Sequence, residues 1–414
     1  MGTSIGIVGA GISGLHLALR LQQLGIESTL YTGQDPDEIR SGPPLNFVTR
    51  FGSTRERENS LGITEWSSSE FDNPWMHMRI EGEHSLVLRG ALPRPASSVD
   101  FRLYLAGLLE AVTERGGAVV QSRPADGRDL ADLAARHDLL IVAAGRGELQ
   151  EVFARDPARS PFRAAPRVLA GGLFRGIAPP EPPGMSMNMV PGVGEIHAPT
   201  FHSFDGRVTA VLIEAVPGGA FRTVTGPEHR HDPELFAKAV LDLVTSHAPS
   251  LRERVDDREF GLTRPIDIMQ GALVPTVRRG WAQMGEGRHA LAIGDAWIVN
   301  DPLTAQGANL GSAQAFQVAQ ALASHRGVYD ANFCMALSEQ LWATAQPVVD
   351  WTNMFLGAPA PQVLSLLTAA SDDQRVADAF IANLDDPRAM WHSISMPERT
   401  AAFIEAAQST RSEQ

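Results

Sequence analysis

A short apolar strand that leads directly into a glycine-rich turn opens the chain and constrains its fold most strongly. The run Ile5–Val8 is followed by the string GAGISG at residues 9–14 and then by an amphipathic helical pattern. In such a unit Gly9 makes the turn, Gly11 lets the backbone approach a pyrophosphate, and Gly14 lets helix and strand pack closely. The helix N-terminus adds partial positive charge. The sequence therefore predicts a dinucleotide-binding α/β unit at the start of the chain.

A second glycine-bearing string, far along the chain, indicates which dinucleotide is bound. A buried strand ends at Gly294 and is followed by an acidic residue, by Asp301-Pro302 and by AQGAN at residues 305–309. Two such strings suit FAD, whose phosphates lie at one helix and whose flavin ring reaches a second. Amides of the second helix would stabilise negative charge at the N1/C2 edge of reduced flavin. The candidate cofactor-binding residues of this string are Asp295, Pro302, Gln306, Gly307, Ala308 and Asn309.

The composition limits the classes of partner. The 414 residues are 43% hydrophobic, enough for a large core and for two or three domains. The net charge of -13 disfavours nucleic acid and anionic membranes, since both require a basic patch. No apolar run is long enough to span a bilayer and no signal peptide is recognisable, so we expect a soluble, cytoplasmic protein. The single cysteine, Cys334, cannot form an internal disulfide and lies in a predicted buried helix.

The histidines do not indicate a metal site. The sequence His229-Arg230-His231-Asp232 lacks fixed ligand spacing and is typical of a solvated loop before a helix. His197 and His202 lie along a predicted strand, which indicates a structural or pocket-lining role. We therefore predict no metal ligand.

The hydrophobic pattern predicts an α/β fold in three regions. Near-continuous apolar runs such as 138–145 are typical of parallel strands, whereas alternating segments such as 207–214 are typical of antiparallel sheets. We predict a Rossmann-like FAD-binding domain of the aromatic-hydroxylase type, an antiparallel-sheet substrate domain and a C-terminal helical region. The FAD-binding domain is assigned to residues 1–44, 96–165 and 276–331, the substrate-binding domain to 45–95 and 166–275, and the helical region to 332–414.

The second strand ends without the acidic residue that many nucleotide-binding folds use to bind the adenosine ribose. Thr32 stands there, and the nearest acids, Asp35 and Asp37, follow in a loop. Losing a charge-assisted hydrogen bond weakens binding by roughly 1.5–3 kcal/mol, so we predict a flavin that binds and leaves rather than a permanent group. The alternative is that Asp35 folds back to the ribose.

Two further features concern the pyrophosphate and the source of electrons. Arg102 lies near the start of a predicted helix, at a spacing where its guanidinium could contact the FAD pyrophosphate; a structural salt bridge is the alternative. Flavin hydroxylases that oxidise NAD(P)H themselves usually carry Asp-Gly after a strand such as 139–143. Here the stretch 143–147 reads AAGRG, with no Asp. We therefore expect the electrons to come from another protein.

Taken together, these residues resemble the oxygenase component of two-component styrene and indole monooxygenases, over essentially the whole chain. The shared stretches are GIVGAG and SGLHLAL near the N-terminus, LYT at 30–32, VD-R-LY around Arg102, DLL-V from 138, IDIMQG at 266–271, GD, DP and QGAN between 294 and 309, and WTN at 351–353. The resemblance implies that a separate NADH-dependent flavin reductase supplies reduced, diffusible FAD. It also implies that O2 then forms a flavin C4a-hydroperoxide, that one oxygen passes to a vinyl or indole double bond, and that the protein is a homodimer.

Four positions of the resemblance define a pocket for a small apolar aromatic substrate. Styrene-type members typically have Asn, Val, His and Ser there, and indole-type members have Ser, Gln, Met and Ala. The corresponding residues here are Asn46, Val48, Met76 and Ala96, a mixture of the two types. Asn46 is the candidate catalytic residue, because its amide could orient the hydroperoxide or the flavin; loop capping is the alternative. A slip of one residue would place His77 in the pocket instead of Met76.

The chain departs from the resemblance at two loops beside the flavin. Pro43-Pro44 stands where relatives more often have Arg and Leu, which concerns the shape of that loop. Ala305 stands where they more often have Gly, and we expect this to be a small steric change.

The leading hypothesis is an FAD-dependent epoxidase of styrene-like aryl alkenes, with indole epoxidation as the alternative. A self-sufficient NAD(P)H-dependent aromatic hydroxylase is a second enzyme hypothesis, and NAD(P)H oxidation by the protein alone would favour it. A non-catalytic binding protein on the same fold is a third, which failure to bind reduced FAD would favour.

Overall fold

The architecture is that of a computed structural model, which describes residues 4–145 and 147–409. Within these ranges the strands are β1 Ile5–Val8, β2 Ser28–Thr32, β3 Val48–Arg50, β4 Asp72–Ile80, β5 Leu86–Val99, β6 Ala118–Gln121, β7 Leu139–Val142, β8 Val168–Arg175, β9 Gly184–Val190, β10 Gly194–Ala198, β11 Thr200–Ser203, β12 Gly206–Ala215, β13 Gly261–Leu262, β14 Ile268–Ala272, β15 Thr276–Val277, β16 Trp281–Gly285, β17 Arg288–Ala292 and β18 Ile298–Val299. The helices are α1 Ile12–Gln23, α2 Pro36–Ser41, α3 Gly52–Ser60, α4 Phe101–Glu114, α5 Gly127–Ala134, α6 Pro233–His247, α7 Pro249–Arg252, α8 Gly307–Ser324, α9 Ala331–Leu356, α10 Pro361–Asp372, α11 Gln374–Ala382, α12 Pro387–Ile394 and α13 Pro397–Ser409.

The smaller of the two main sheets has the topology of a nucleotide-binding fold. Its strand order is β16-β17-β7-β1-β2-β6, and β1 pairs in parallel with both β2 and β7. Ile5 and Ile7 are fully buried, as a parallel strand covered on both faces requires. β17 is also parallel to β7, so the carboxyl ends of β1 and β17 lie at the same edge of the sheet. The two glycine strings, which follow these strands, therefore begin at one edge.

The larger sheet is mainly antiparallel and partly closed on itself. Its path is β10-β9-β4-β5-β11-β12-β8-β13, and an additional pairing of β10 with β12 joins the first six strands into a ring. Two pairings, β4 with β9 and β5 with β11, are parallel. β3 pairs with β5, and β14 pairs with β8. The α/β class with a Rossmann-like sheet is thus confirmed, and the second sheet is mixed rather than purely antiparallel.

The helices at the C-terminal end cover one side of the larger sheet. Leu366, Phe380 and Met390 form a core with apolar residues of β4 and β5. α11 approaches β5 so closely that a Cβ at Gly90 would lie 2.6 Å from Cγ1 of Ile381. In the described part of the chain no single helix is long and apolar enough to cross a membrane; α9 and α10 pass that test only as a pair, and they are bent by 87°.

The predicted limits of the three regions stay predictions, but one of them differs from the observed sheets. β5 continues to Val99, which pairs with Val48 of β3 and with His202 of β11. Residues 96–99, which we expected to begin a segment of the FAD-binding domain, therefore belong to the larger sheet. The outermost residues of the assignment, 1–3 and 410–414, lie outside the described part, as does Arg146 of the AAGRG stretch.

Candidate active site

The first turn of the nucleotide-binding unit has room only for glycine at two of its three glycine positions. Gly9 has a φ of 110°, and a Cβ there would lie 2.8 Å from the amide nitrogen of Ala144. A Cβ at Gly14 would lie 2.0 Å from the carbonyl oxygen of Gly9. Gly9 thus forms the turn and Gly14 lets helix and strand pack closely, which are the local roles that the sequence predicts for them; their roles in cofactor binding stay predictions.

Two other glycines lie at helix N-termini that face open space. Gly11 is the N-cap of α1 and Gly307 is the first residue of α8, and a Cβ at either position would meet no atom within 4 Å. Neither helix N-terminus has a side-chain capping hydrogen bond. Open space next to uncapped helix amides is what an anionic ligand needs in order to approach the backbone. The arrangement fits a phosphate at α1 and the polar edge of a flavin at α8.

The two helices that carry these N-termini are packed side by side. A Cβ at Gly294 or at Gly311 would lie 2.4 Å or 2.3 Å from Oγ of Ser13 in the first turn of α1. Farther along, Nδ1 of His16 lies 3.0 Å from Oγ of Ser312. The fold therefore brings together the two glycine strings, although a long stretch of sequence separates them.

The side chains of the second string hold its loop in place. Asn309 donates from Nδ2 to the carbonyl oxygens of Thr49 and Ala305, at 2.9 and 2.8 Å, and its Oδ1 accepts from the amide of Phe51 at 3.0 Å. Nε2 of Gln306 donates to the carbonyl oxygen of Leu384 at 2.8 Å. Because these side chains bind protein atoms, the string would contact a flavin mainly through its backbone. The cofactor roles of Gln306, Gly307, Ala308 and Asn309 stay predictions.

Ala305 adopts a conformation that favours glycine. Its φ is 54°, and among the described non-glycine residues only Ala305 has a positive φ. A left-handed conformation costs an L-residue roughly 1–2 kcal/mol. We expected the replacement of glycine by alanine here to be a small steric change. Its main effect is instead backbone strain, because alanine disfavours this φ.

The guanidinium of Arg102 is fully occupied by protein groups. It pairs with Asp100 at 2.6 Å and with Asp267 at 2.8 Å, and its side chain is 3% exposed. Nη1 also lies 3.4 Å from the carbonyl oxygen of Gly42. These contacts favour the structural salt bridge that we named as the alternative, and binding of the pyrophosphate by Arg102 stays a prediction. Asp295 is exposed beside Gly145, where a Cβ would lie 2.3 Å from that of Asp295, and its role in cofactor binding stays a prediction.

The side chains at the end of the second strand, where many nucleotide-binding folds have a ribose-binding acid, have local structural partners. Thr32 uses its hydroxyl locally, donating to the carbonyl oxygen of Gln34 at 2.9 Å. Asp35 is the N-cap of α2 and forms a capping box with Glu38, with 2.8 Å from its Oδ1 to the amide of Glu38. This box gives the Asp35 carboxylate a structural partner, so the alternative in which Asp35 replaces the missing acid loses support.

An apolar cavity lies between the larger sheet, the loop 302–305 and the C-terminal helices. Its empty space, open solvent included, is about 830 Å³. Five methionines from β4 and β9 form one wall of it, and we call Met76, Met78, Met185, Met187 and Met189 the methionine wall. Other lining residues are Phe47, Thr49, Phe51, Ser186, His197, Pro199, Ala210, Leu212, Pro302, Leu303, Thr304, Ala305, Trp351, Phe355, Phe380 and Leu384. A cavity of this size and character suits a small aromatic molecule.

Strand geometry decides which of the predicted pocket residues reach this cavity. Met76 lines it, whereas the neighbouring His77 points away and its Nε2 bonds the carbonyl oxygen of Pro182 at 2.8 Å. Val48 is not among the lining residues, because Phe47 and Thr49 on either side of it take those positions.

The remaining two predicted residues lie outside the lining as well. Ala96 is fully buried in β5, where it pairs with Asn73. Asn46 is exposed in the loop before β3, next to the lining residue Phe47. The pocket roles of Val48 and Ala96 and the catalytic role of Asn46 stay predictions, which this cavity does not support.

Sequence reasoning missed most of the lining. The stretch GMSMNMV of β9 places methionine at every second position, and β4 pairs with it so that Met76 lies beside Met185 and Met78 beside Met187. That alternation was readable as one face of a strand. Trp351 belongs to the WTN string, which we quoted only for the resemblance, and it too lines the cavity.

Comparison with known proteins identifies the family. The profile described as "Styrene monooxygenase A putative substrate binding domain" matches residues 145–254. Styrene monooxygenase StyA of Pseudomonas fluorescens is 35% identical over 400 residues, which cover 95% of this chain and 96% of that protein. The chain belongs to the styrene monooxygenase StyA family. A StyA from an unspecified Pseudomonas is also 35% identical over 400 residues.

Solved structures of more distant proteins share the fold. The flavin-dependent brominase Bmp2 superposes with a TM-score of 0.69 at 13% identity, covering 99% of this chain and 98% of that one. The tetrameric form of 2-methyl-3-hydroxypyridine-5-carboxylic acid oxygenase gives 0.60 at 15% identity, covering 94% and 97%. These similarities show the fold alone.

Family membership fixes the general chemistry of the site. The chain is the oxygenase component of a flavin-dependent monooxygenase and uses flavin and O2. The open glycines at α1 and α8 fit that cofactor, since a bound flavin needs backbone amides and free space at both places.

Proposed function

We propose that this protein takes reduced FAD from a separate NADH-dependent flavin reductase and uses O2 to epoxidise styrene-like aryl alkenes. The observation that carries the proposal is the apolar cavity that borders the loop 302–305, directly before the N-terminus of α8. A substrate in this cavity would lie next to the place where α8 presents its first amides. This proximity is what the transfer of an oxygen atom from flavin to substrate requires.

The residues that would hold the cofactor follow from the glycine positions. Gly11 at α1 would receive the pyrophosphate, and Gly307 and Ala308 at α8 would direct amides to the flavin ring. When bound, reduced flavin would supply the two electrons for the activation of O2, as the resemblance implies. The helix N-terminus of α8 would favour negative charge on the ring.

In this proposal the cavity wall orients the substrate and excludes water. The methionine wall is flexible and polarisable, so it can adapt its shape to a flat aromatic molecule. Water is disfavoured among such side chains, which protects a reactive oxygen donor from unproductive decay. Among the lining residues His197 is the single titratable one. The chain's own contribution is thus orientation, exclusion of water and control of protons.

The adenosine end of the site supports a diffusible flavin. Thr32 replaces the customary acid, and Asp35 is held in the capping box of α2. A ribose without a carboxylate partner loses roughly 1.5–3 kcal/mol of binding. A cofactor that must arrive reduced and leave oxidised in each turnover benefits from such weaker binding. A homodimer, which the resemblance implies, is part of the same proposal.

Indole is the second candidate substrate, and one observation favours it. Met76, the residue type that the resemblance associates with indole, points into the cavity, whereas His77 points away from it. The methionine wall therefore presents the indole-type side chain at the position where the two types of enzyme differ.

Product formation from styrene and from indole tests this proposal. The purified protein would be incubated with NADH, FAD and catalase, with and without an added NADH-dependent flavin reductase. We expect epoxide only when the reductase is present, and the ratio of styrene oxide to indole-derived pigment would rank the two substrates. Turnover with NADH and FAD but no reductase would contradict the two-component proposal and favour a self-sufficient hydroxylase.

A further inference from the structure

A group of five ionisable side chains is buried between the larger sheet and the loop that begins the second glycine string. We call this group the acid cluster: Arg167, Glu195, His197, Glu214 and Asp301. Arg167 directly precedes β8, Glu195 and His197 lie on β10, Glu214 lies on β12, and Asp301 directly precedes Pro302. Glu214 and Asp301 are 0% and 1% exposed. Buried carboxyl groups at this depth require partners or protons.

One carboxylate of the cluster is neutralised by an arginine. Nε and Nη2 of Arg167 contact the two carboxylate oxygens of Glu195 at 2.7 and 2.8 Å. Both side chains are almost fully buried, at 8% and 6% exposed. This bidentate pair accounts for one positive and one negative charge. Because Arg167 is paired with Glu195, the cluster has no other cationic side chain that could pair with Glu214 or Asp301.

The other two carboxyl groups contact each other. Glu195 and Glu214 are direct cross-strand partners on β10 and β12, an arrangement that disfavours a second negative charge at Glu214. Glu214 and Asp301 interact with each other, and both carboxyl oxygens of Glu214 and Oδ2 of Asp301 are buried without a hydrogen-bond donor among the described residues. Two buried carboxyl groups that lie together without a donor are stabilised by a proton on one of them. Burial, together with the neighbouring carboxylates, raises the pKa of both groups, so the pair retains that proton near neutral pH.

His197 connects this carboxyl pair to the cavity. Its Nε2 lies 3.2 Å from Oε1 of Glu214, and the ring lines the cavity together with Pro302 and Ala305. Burial lowers the pKa of His197 to about 4, so the ring is neutral at pH 7. A neutral imidazole carries one donor and one acceptor nitrogen, and it can therefore accept a proton on one side while it gives one up on the other.

The proposed reaction consumes a proton at this place. Anionic reduced flavin, O2, an alkene and one proton give oxidised flavin, the epoxide and water. Two electrons come from the flavin and two from the double bond, and each oxygen atom of O2 gains two of these electrons. The proton ends in the water molecule. An apolar cavity does not supply that proton, so a group at its border must do so.

We propose that Glu214 and Asp301 hold one exchangeable proton between them and that His197 passes it into the cavity beside the loop 302–305. In this step Glu214 gives its proton to Nε2 of His197, and the proton on Nδ1 leaves toward the reacting oxygen. The carboxyl pair, which carries one negative charge while it holds the proton, then carries two until solvent returns the proton. The inference rests on the proposed function for the direction of the transfer, but the shared proton is a property of the protein without flavin.

The shared proton is tested first, in flavin-free protein, by infrared spectroscopy at pH 7. We expect a carbonyl stretching band of a protonated carboxylic acid that shifts or disappears in Glu214→Gln and in Asp301→Asn. Glu253→Gln, which changes an exposed carboxylate outside the acid cluster, serves as the control and should keep the band. A band that stays unchanged in both cluster variants would overturn the proposal. If Glu214→Gln does not fold, Asp301→Asn carries the same test, since each changes one half of the pair.

The transfer itself is tested with the reductase-coupled assay. We expect Glu214→Gln and His197→Gln to lower the kcat for epoxide formation by on the order of 10²-fold, with little change in the KM for the alkene. The lost turnover should appear as hydrogen peroxide, and the pH dependence of wild-type coupling between NADH use and epoxide should be lost. An unchanged pH profile in both variants would overturn the proton transfer.

The two tests separate this inference from the proposed function. If wild-type protein forms no epoxide with any reductase, the proposed function fails and the infrared result alone decides on the shared proton. If wild type forms epoxide and both cluster variants match it in kcat and pH profile, the proton transfer by the acid cluster fails and the proposed function stands.

Discussion

Two groups of side chains that meet at the same cavity differ in how much each side chain depends on its neighbours. The methionine wall consists of flexible apolar side chains, none of which depends on a particular partner atom. The acid cluster consists of buried groups that depend on one another, through the Arg167–Glu195 ion pair and the adjoining carboxyl groups of Glu214 and Asp301. The methionine wall should therefore tolerate substitution, and the acid cluster should not.

The difference between the two groups also separates substrate binding from proton transfer. A wall of methionines gives affinity for apolar aromatic molecules without fixing one of them in a single position, which is consistent with mixed styrene-type and indole-type signals. The acid cluster touches the cavity only through His197, so its effect on a reaction would be through protons rather than through substrate shape. Variants in the two groups should differ in both stability and kinetics.

Removal of the arginine from the acid cluster is expected to have the largest effect. In Arg167→Met the carboxylate of Glu195 stays buried without its partner, so we expect the free energy of unfolding to fall by about 3–5 kcal/mol. Urea denaturation at pH 7 measures this. The double variant Arg167→Met/Glu195→Gln removes both charges and should recover part of the loss. Equal losses in the single and the double variant would show that packing, and not charge balance, holds the cluster together.

The pH dependence of stability is the second way to test the acid cluster. Burial raises the pKa of Glu214 from 4.5 to about 8, so the folded protein keeps a proton that the unfolded chain has released. Stability should therefore fall as the pH rises from about 4.5 to about 8, by at most about 1.4 kcal/mol per pH unit for each proton. Glu214→Gln should flatten this slope, as measured by urea denaturation at several pH values.

His197 contributes with the opposite sign in a lower pH range. Burial lowers its pKa from 6.5 to about 4, so its contribution to stability is present above pH 6.5 and is lost as the pH falls toward 4. The range from pH 7 to 8 therefore isolates the carboxyl pair. Parallel slopes for wild type and Glu214→Gln in that range would contradict a proton held in the folded state.

Substitution within the methionine wall should have a much smaller effect than either change in the acid cluster. Met187→Leu nearly conserves volume, so we expect a loss of less than about 1.5 kcal/mol with styrene turnover retained. The measurements are urea denaturation and the KM for styrene. Met185→Leu, on the same face of β9, is the matched second variant. A loss as large as that of Arg167→Met would mean that the wall is packed as rigidly as an ordinary core.

The parts of the site that the sequence predicted depend on local geometry. Gly9 and Gly14 are required because of their own backbone angle or a neighbour a few residues away, and such constraints are visible in a short string. Thr32 was informative for the same reason, since a strand end and its loop are adjacent in sequence. The alternating methionines of β9 belong to this class as well and could have been recognised.

The parts that the sequence did not predict depend on contacts between distant segments. Arg102 is paired with Asp267, and nothing near Arg102 in the sequence indicates that partner. The members of the acid cluster come from two strands, from the residue before β8 and from the loop before α8, and each alone is typical of an ordinary charged residue. Which of Phe47 and Val48 faces the cavity is a matter of strand register, which a single sequence does not fix.

Ala305 gives the smallest and most local test, at the point where the loop of the second glycine string borders the cavity. Its φ of 54° is strained for alanine, so Ala305→Gly should relieve roughly 1–2 kcal/mol in the folded state. Glycine also makes the unfolded chain more flexible, which costs about 0.4–1 kcal/mol. We therefore expect a net gain of about 0.5–1 kcal/mol in the free energy of unfolding, measured by urea denaturation.

The matched control for this loop is Ala308→Gly, three residues later in the first turn of α8. Ala308 is helical, so glycine there brings only the entropic cost and should lower stability by about 0.5–1 kcal/mol. Opposite signs for two identical substitutions would show that strain at Ala305 is real and local. A loss in both variants would mean that the left-handed turn is held without strain. The carbonyl contact from Asn309 to Ala305 would then carry more of the loop's stability than its backbone angle does.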